Sequence, residues 1–541
     1  MLKVLMVSVL MFSTVRLEAA EENIVSHSVT IDGSNVMNTL SDYFFGHNYW
    51  MWAPTWGDQV SGTESLVSDL NLSLMRFGGI QVDLGYPDSV TEAVMSQFIE
   101  YCADIGAEPL VQLQIARYST TEERVAGAVK MFNYYRTLYP VKYVAIGNEP
   151  DLYSSDHSNN PEYNAPYLSG YTVDDYCNDF NAVAEALRAI DPDIKLVGLE
   201  LSHRYNQWVP QFIEQCRDNV DILSVHYYPF NAAQCTYSNA RNSFSSFNTF
   251  YDNIRNLIDE NADGKDIPLL IGETNISWDG DPAHSTRDAS PGTFNAGLWF
   301  ADYVGVSAAQ HNLFSIMPWS ISEGWTLGFL GANRRPKPVY HVYKMFSNNS
   351  KEHLIHIESV NPFLRVYTFK DDQENVAVFA VNWDTLSSYS LDINFTNILN
   401  DSSFNYEVPP HSVSSIVISS DFSQKEFLEY NSSMQAPTAP TTSVVQRSKG
   451  LSGGKKAGLN VSLRTEGAVL ALSLQNPLSG VKVDIVDLQG RTVRSMFTGN
   501  SEAGKQIRIP LEGVPKGTYM VKIASGNEVL AQRRFVLRTG F

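Results

Sequence analysis

Between residues 40 and 320 the chain alternates short apolar runs with longer stretches of helical spacing. The runs read YFFGHNY, LSLMRFGG, PLVQLQI, YVAIGNE, IKLVGLEL, DILSVHYY, PLLIGETN and NLFSIMPWS. Segments such as DYCNDFNAVAEALRAID and GTFNAGLWFADYVGVSAAQHN lie between them and repeat apolar residues at three- and four-residue intervals. Runs that are apolar almost throughout suit strands buried on both faces, as in a parallel sheet covered by helices. Eight such strand–helix units predict an α/β fold, a (β/α)8 TIM barrel over residues 21–345. An open doubly wound sheet would carry a Gly-rich phosphate loop after its first strand. The aromatic GHNYWMWAPTW stands there instead.

After Arg335 the period changes to two. LIHIESV, FLRVYTF, NVAVFAVNW, YSLDINF and SVSSIVIS, with turns rich in Asn, Asp and Ser, predict a β-sandwich over 346–421 packed on the barrel. Residues Val25–Ile31 alternate in the same way and are expected to supply a further strand. A segment rich in Ser, Thr, Pro, Gln and Gly, 422–456, reads as a linker. Short strands with turns at QG, KG and SG return over 457–541, a second small β-sandwich.

Composition narrows the partners. A formal net charge of −20 on 541 residues, with no compensating basic patch, argues against nucleic acid as a ligand. Lys3 followed by LMVSVLMF, with Ala19 and Ala20 as a cleavage point, reads as a signal peptide over residues 1–20. No later stretch is long and apolar enough for a membrane span, so the mature chain is expected to be secreted or displayed at a cell surface. Cys102, Cys177, Cys216 and Cys235 lack metal-site spacing, so no structural metal is expected, and disulfides and buried thiols stand as equal readings.

In a barrel of this kind catalytic groups sit at the C-terminal ends of strands. Glu149 ends the fourth run and Glu273 the seventh. Two glutamates at one mouth can perform retaining glycoside hydrolysis, one protonating the leaving oxygen while the other attacks the anomeric carbon. That chemistry needs no cofactor.

GNEPDLY at a fourth strand and GETN at a seventh resemble the clan A glycoside hydrolases, with Asn148, Glu149 and Pro150 as the most specific mark. Together with LIGETNIS and GTFNAGLWFADY they are most similar to family 79, the β-glucuronidase and heparanase relatives. The resemblance implies Glu149 as general acid/base, Glu273 as nucleophile and Asn148 as a ligand to the sugar hydroxyl beside the reacting carbon. It further implies that His226 and Tyr228, in SVHYY, form the His-x-Tyr pair whose Tyr hydrogen-bonds the nucleophile, that Arg76, in MRFGG, helps hold it ionised, and that Trp319 is the sugar-stacking floor. Tyr49, Trp50, Trp52 and Trp56 in the loop after the first strand are candidates for stacking on further sugar rings.

The segment VKVDIVDLQGRTVRSMFTGNSEAGKQIRIPLEGVPKGTYMVKI resembles the C-terminal sorting domains of proteins exported by bacteria through the type IX route. The expectation is a secreted glycosidase acting on β-linked poly- or oligosaccharides, with export machinery as its other partner. A β-glucuronidase, an endo-β-1,4-glucanase or xylanase of the same clan, and a non-catalytic carbohydrate-binding surface protein remain as alternatives.

Overall fold

The computed structural model describes residues 23–49, 62–85, 90–153, 165–322, 326–331, 334–358, 361–440 and most of 461–537. The expected signal peptide, Trp50, Trp52 and Trp56 lie outside these residues. The chain divides into two compact units, Met1–Lys449 and Gly450–Phe541.

All eight predicted runs form strands of one parallel sheet: Gly46–Tyr49, Leu74–Phe77, Glu108–Leu113, Tyr143–Ile146, Lys195–Leu201, Ile222–Tyr227, Leu269–Thr274 and Leu313–Pro318. The sheet curls until its edges meet, where Ile316 N donates to Phe44 O at 3.0 Å and Phe45 pairs with Ile316. The expected TIM barrel is therefore present. Its helices include Val173–Ile190, opened by a reciprocal capping box between Thr172 and Asp175, and Phe294–Ala308, whose N-cap Thr293 accepts from Ala296 N. Both caps satisfy amide donors that the first helical turn leaves unpaired.

The expected sandwich follows but runs past residue 421, because Lys425–Asn431, expected within the linker, pairs with Ser412–Ile418 as one of its strands. A six-stranded sheet (Val36–Thr39, His353–Ile355, Leu364–Lys370, Val376–Asn382, Ser412–Ile418 and Lys425–Asn431) faces a three-stranded one. The latter contains Ser387–Thr396, Ser403–Val408 and the N-terminal strand Asn23–Asp32, which pairs in parallel with Ser387–Thr396.

Strand Val376–Asn382 shows why its sequence is apolar from Val376 to Val381. Val376, Val378 and Ala380 enter the core between the two sheets, whereas Ala377, Phe379 and Val381 enter the barrel core. Successive side chains point to opposite faces, so a strand sandwiched between two cores must be apolar at every position. Phe379 stacks on Phe346 of helix Pro338–Asn349 at 4.0 Å between centroids.

The second unit consists of a three-stranded and a four-stranded antiparallel sheet within residues 461–537. All four cysteines are buried and free. No described helix is long and apolar enough to cross a membrane.

Candidate active site

Closure of the barrel gathers the ends of strands two, four, five, six and seven. Arg76, on strand two, is fully buried and spends its guanidinium on five acceptors. Nη1 donates to Glu273 Oε1 at 3.0 Å and to Asn48 Oδ1 at 2.8 Å. Nη2 donates to Asn148 Oδ1 at 2.7 Å and to Gln112 Oε1 at 3.2 Å, and Nε donates to Glu200 Oε1 at 3.2 Å. A planar fork of fixed donors suits this convergence better than an ammonium would.

Glu273 Oε2 accepts from Tyr228 Oη at 2.9 Å and lies 3.5 Å from His226 Nδ1. His226 bridges two other carboxylates: Nδ1 is 2.9 Å from Glu149 Oε1 and Nε2 is 3.0 Å from Glu200 Oε2. One oxygen of Glu149, one of Glu273 and a ring nitrogen of His226 lie within 4.8 Å of one another. Among the described residues this is the one group of His, Cys and carboxylates close enough to hold a cation. Here its charge is already matched from within by Arg76 and His226.

Five of the expected residues, Asn148, Glu149, Arg76, His226 and Tyr228, thus converge on Glu273. Trp319 lies in the same cleft, and its indole approaches strand two so closely that a Cβ on Gly79 would sit 2.8 Å from it. Gly79 also has φ +107, which disfavours any side chain there. Tyr49 does not face the cleft: it is buried against Phe77, Phe98 and Tyr101, because its position on strand one points it outward to the helical shell.

Arg76 and Tyr228 act on Glu273 in the expected direction, toward the ionised form, but burial is the larger influence. Burial raises Glu273 above the ordinary carboxylate range, and the charge of Glu149 adds to this, while His226 and Arg76 and the Tyr228 hydrogen bond pull the other way. Desolvation therefore outweighs the cations expected to favour its ionised form. For His226, burial opposes the charged ring, yet the charge of Glu273 and the bonds to Glu149 and Glu200 lift it to about 10. Glu200 is also desolvated, but Arg76, His226 and Ser224 carry it down to about 2.

Three participants escaped the sequence reading. Glu200 is the one acidic residue inside the apolar run IKLVGLEL, and a carboxylate between two leucines is the signal that could have marked it. Asn48 ties strand one to the site through Nδ2, which donates to Gly272 O at 2.8 Å and Met317 O at 3.0 Å. Asp83, in the short helix Ile80–Leu84 after strand two, accepts from the amides of Ile115, Ala116 and Asn148 and from the Tyr153 hydroxyl. It thereby braces the ends of strands three and four against each other. Burial raises Asp83 to about 6 despite those four donors.

The cleft above the cluster measures about 700 Å3 and is walled by Leu152, Tyr205, Tyr228, Phe250, Trp278 and Trp319 beside the two glutamates. Trp278 is 62% exposed, an apolar surface left open at the rim of the cleft. A second depression of about 660 Å3 shares His203 and Tyr205 with the cleft and is otherwise lined by Arg204, Asn206, Gln207 and Asn253.

A closed parallel barrel with two acidic strand ends facing across one mouth is the architecture of the clan A glycoside hydrolases. Residues 153–397 match Glycosyl hydrolases family 39, and residues 466–538 match the Secretion system C-terminal sorting domain. The protein is a glycoside hydrolase whose catalytic region carries the family 39 pattern and whose C-terminal unit is a sorting domain. The match thus falls on family 39 and not on family 79; it begins just beyond Glu149 and includes Glu200, Tyr228, Glu273 and Trp319. No curated protein matches the chain.

Similar solved structures include an α-L-arabinofuranosidase from Thermotoga maritima, 16% identical with a TM-score of 0.54, over 75% of this chain and 96% of that one. A family 44 xyloglucanase from Paenibacillus polymyxa is 13% identical with a TM-score of 0.53, over 78% and 95%. A family 51 arabinofuranosidase from Xanthomonas axonopodis pv. citri is 14% identical with a TM-score of 0.56, over 78% and 96%. At these identities the likeness is one of fold.

Proposed function

We propose that the protein is an exported retaining glycosidase that cleaves β-linked, uncharged oligo- or polysaccharides by double displacement. The observation that carries this reading is the approach of Glu149 and Glu273 oxygens to within 4.8 Å. Carboxyl groups about 5–5.5 Å apart serve retaining hydrolysis, whereas inverting enzymes need about 6.5–9.5 Å to admit a water.

In the first step Glu273 attacks the anomeric carbon as the bond to the leaving oxygen breaks, and Glu149 gives that oxygen its proton. The product is a glycosyl ester on Glu273. Glu149, now ionised, takes a proton from water as the water attacks the same carbon, and the Glu273 carboxylate is released. The side chain of Glu149 keeps 18% exposure against 9% for Glu273, which suits a group that must exchange protons with water and leaving group. Asn148 is held by Arg76 beside the acid, where it can bond the neighbouring sugar hydroxyl. Trp319 offers its face to the ring.

A uronic acid would need a receptor for its carboxylate, from Tyr hydroxyls, backbone N–H groups or a cation. Among the described residues lining the main cleft, His203 is the only one that can carry positive charge outside the catalytic cluster, and it lies 3.3 Å from Asp151. The aromatic walls favour a neutral sugar over a glucuronide. The adjoining depression, lined by amide side chains and Arg204, supports a substrate longer than one sugar.

The test is hydrolysis of aryl β-xylosides, β-glucosides and β-glucuronides by the wild type and by Glu149→Ala and Glu273→Ala. Each substitution is expected to lower turnover about 10²-fold or more. Azide should restore Glu273→Ala with a product of inverted configuration, and Glu149→Ala with one of retained configuration. Wild-type turnover in both variants would overturn the reading.

A further inference from the structure

The third carboxylate of the cluster has no part in double displacement as such. Glu200 is wholly buried, on a strand-five end whose backbone turns left-handed at Leu199 (φ +76) and Glu200 (φ +49). Two consecutive non-glycine residues with positive φ are costly, at about 1–2 kcal/mol each, and persist where surrounding structure demands them. The turn places both oxygens on donors. Oε1 accepts from Arg76 Nε at 3.2 Å, and Oε2 accepts from Ser224 Oγ at 2.7 Å and faces His226 Nε2 at 3.0 Å.

The neighbouring strand is shaped around this carboxylate. A Cβ on Gly272 would lie 2.3 Å from Glu200 Oε2 and 2.4 Å from Ser224 Oγ. Gly272 immediately precedes Glu273, so the glycine of the GETN motif leaves room for Glu200 beside the strand that carries Glu273.

We propose that Glu200 is a positioning residue that holds His226 doubly protonated, as a fixed bridge to Glu149, and locks Arg76 against Glu273. An ionised carboxylate can only accept hydrogen bonds. With Glu200 ionised on one side, Nε2 must carry a hydrogen, and Nδ1 must carry the other to donate to Glu149 throughout the cycle. The charged and titratable groups around His226 are Glu149 from strand four, Glu200 from strand five, Glu273 from strand seven and Arg76 from strand two. Tyr228 bonds Glu273, and Tyr205 Oη donates to the His226 carbonyl at 2.7 Å.

Charge counting gives the reason for a third carboxylate. With Arg76 and His226 positive, Glu200 and Glu273 negative and Glu149 protonated, the buried cluster is neutral. In the glycosyl ester Glu273 is neutral and Glu149 negative, and the sum is again zero. Without Glu200 both states would carry a net positive charge in a desolvated site, and His226 would shed its proton to remove it.

This inference rests on the glycosidase reading, and its test separates the two. Glu200→Gln keeps the shape and removes the charge. Its kcat on an aryl glycoside is expected to fall about 10²-fold, the cost of a 1 Å misplacement, with KM within about twofold and the basic limb of the pH–rate profile moved to lower pH. Ser224→Ala, which removes only a partner of Glu200, should move that limb the same way by less. In the wild type, 15N shifts of the His226 ring, assigned with His226→Gln, should show the imidazolium at pH 7. A neutral ring at pH 7 overturns the proposal, even if Glu200→Gln does not fold. So does a folded Glu200→Gln with unchanged rate and profile. A wild type that hydrolyses no glycoside while showing the imidazolium would sink the functional reading and leave the bridge standing.

Discussion

Tyr228 donates to Glu273 Oε2 at 2.9 Å while Arg76 holds Oε1 of the same carboxylate at 3.0 Å. The two donors grip opposite oxygens and fix the carboxylate plane. Because burial raises Glu273 and the Tyr228 bond counters it, removing the hydroxyl should raise the group further. Tyr228→Phe is therefore expected to move the acidic limb of the kcat/KM profile to higher pH, since Glu273 must be ionised to attack. An unshifted or lowered acidic limb in a folded variant would show that the bond does not govern its ionisation.

Trp278 stands exposed at the rim of the cleft, held where its amide donates to Phe230 O at 3.3 Å. Stacking on a sugar ring would account for an indole left in water. Trp278→Ala should raise KM for oligosaccharides about tenfold, equivalent to ~1.4 kcal/mol of binding, with little change in Tm because few buried contacts are lost. Steady-state kinetics across a chain-length series would read this; equal KM for short and long substrates in both proteins would remove Trp278 from the binding surface.

Asp302, on the helix Phe294–Ala308, joins barrel to sandwich. It accepts from Arg365, from Trp383 Nε1 at 2.6 Å and from Tyr367 Oη at 3.0 Å. Asp302→Ala strands three donors, one of them charged, and is expected to destabilise the first unit by about 3–5 kcal/mol. Urea denaturation would measure it. A loss under 1 kcal/mol would mean that water reaches these donors.

The first unit contains the barrel and sandwich cores within Met1–Lys449. A chain ending at Lys449 should hydrolyse glycosides as the full chain does and melt at the same temperature. In a bacterium possessing the matching secretion route, the shortened chain should remain inside while the full chain is exported. Fractionation followed by activity assay distinguishes them, and equal export of both would deny the tail its sorting role.

Much of this protein is set locally. Eight apolar runs became eight barrel strands because helices bury both faces of a parallel sheet, and that demand is written residue by residue. Glu149 and Glu273 stood out because each ends such a run, where a barrel opens to solvent. Glu200 did not, since it sits between Leu199 and Leu201 inside a run and becomes part of the site through two left-handed residues that alternation does not reveal. Asp83 was hidden for a similar reason: a carboxylate in a one-turn helix reads as solvent-facing until the ends of strands three and four aim their amides at it. The direction of the Glu273 shift was also beyond the sequence, which shows the cations but not the depth of burial. Barrel closure decided these matters, because it joins groups from strands far apart in the chain and removes the water that would otherwise screen them.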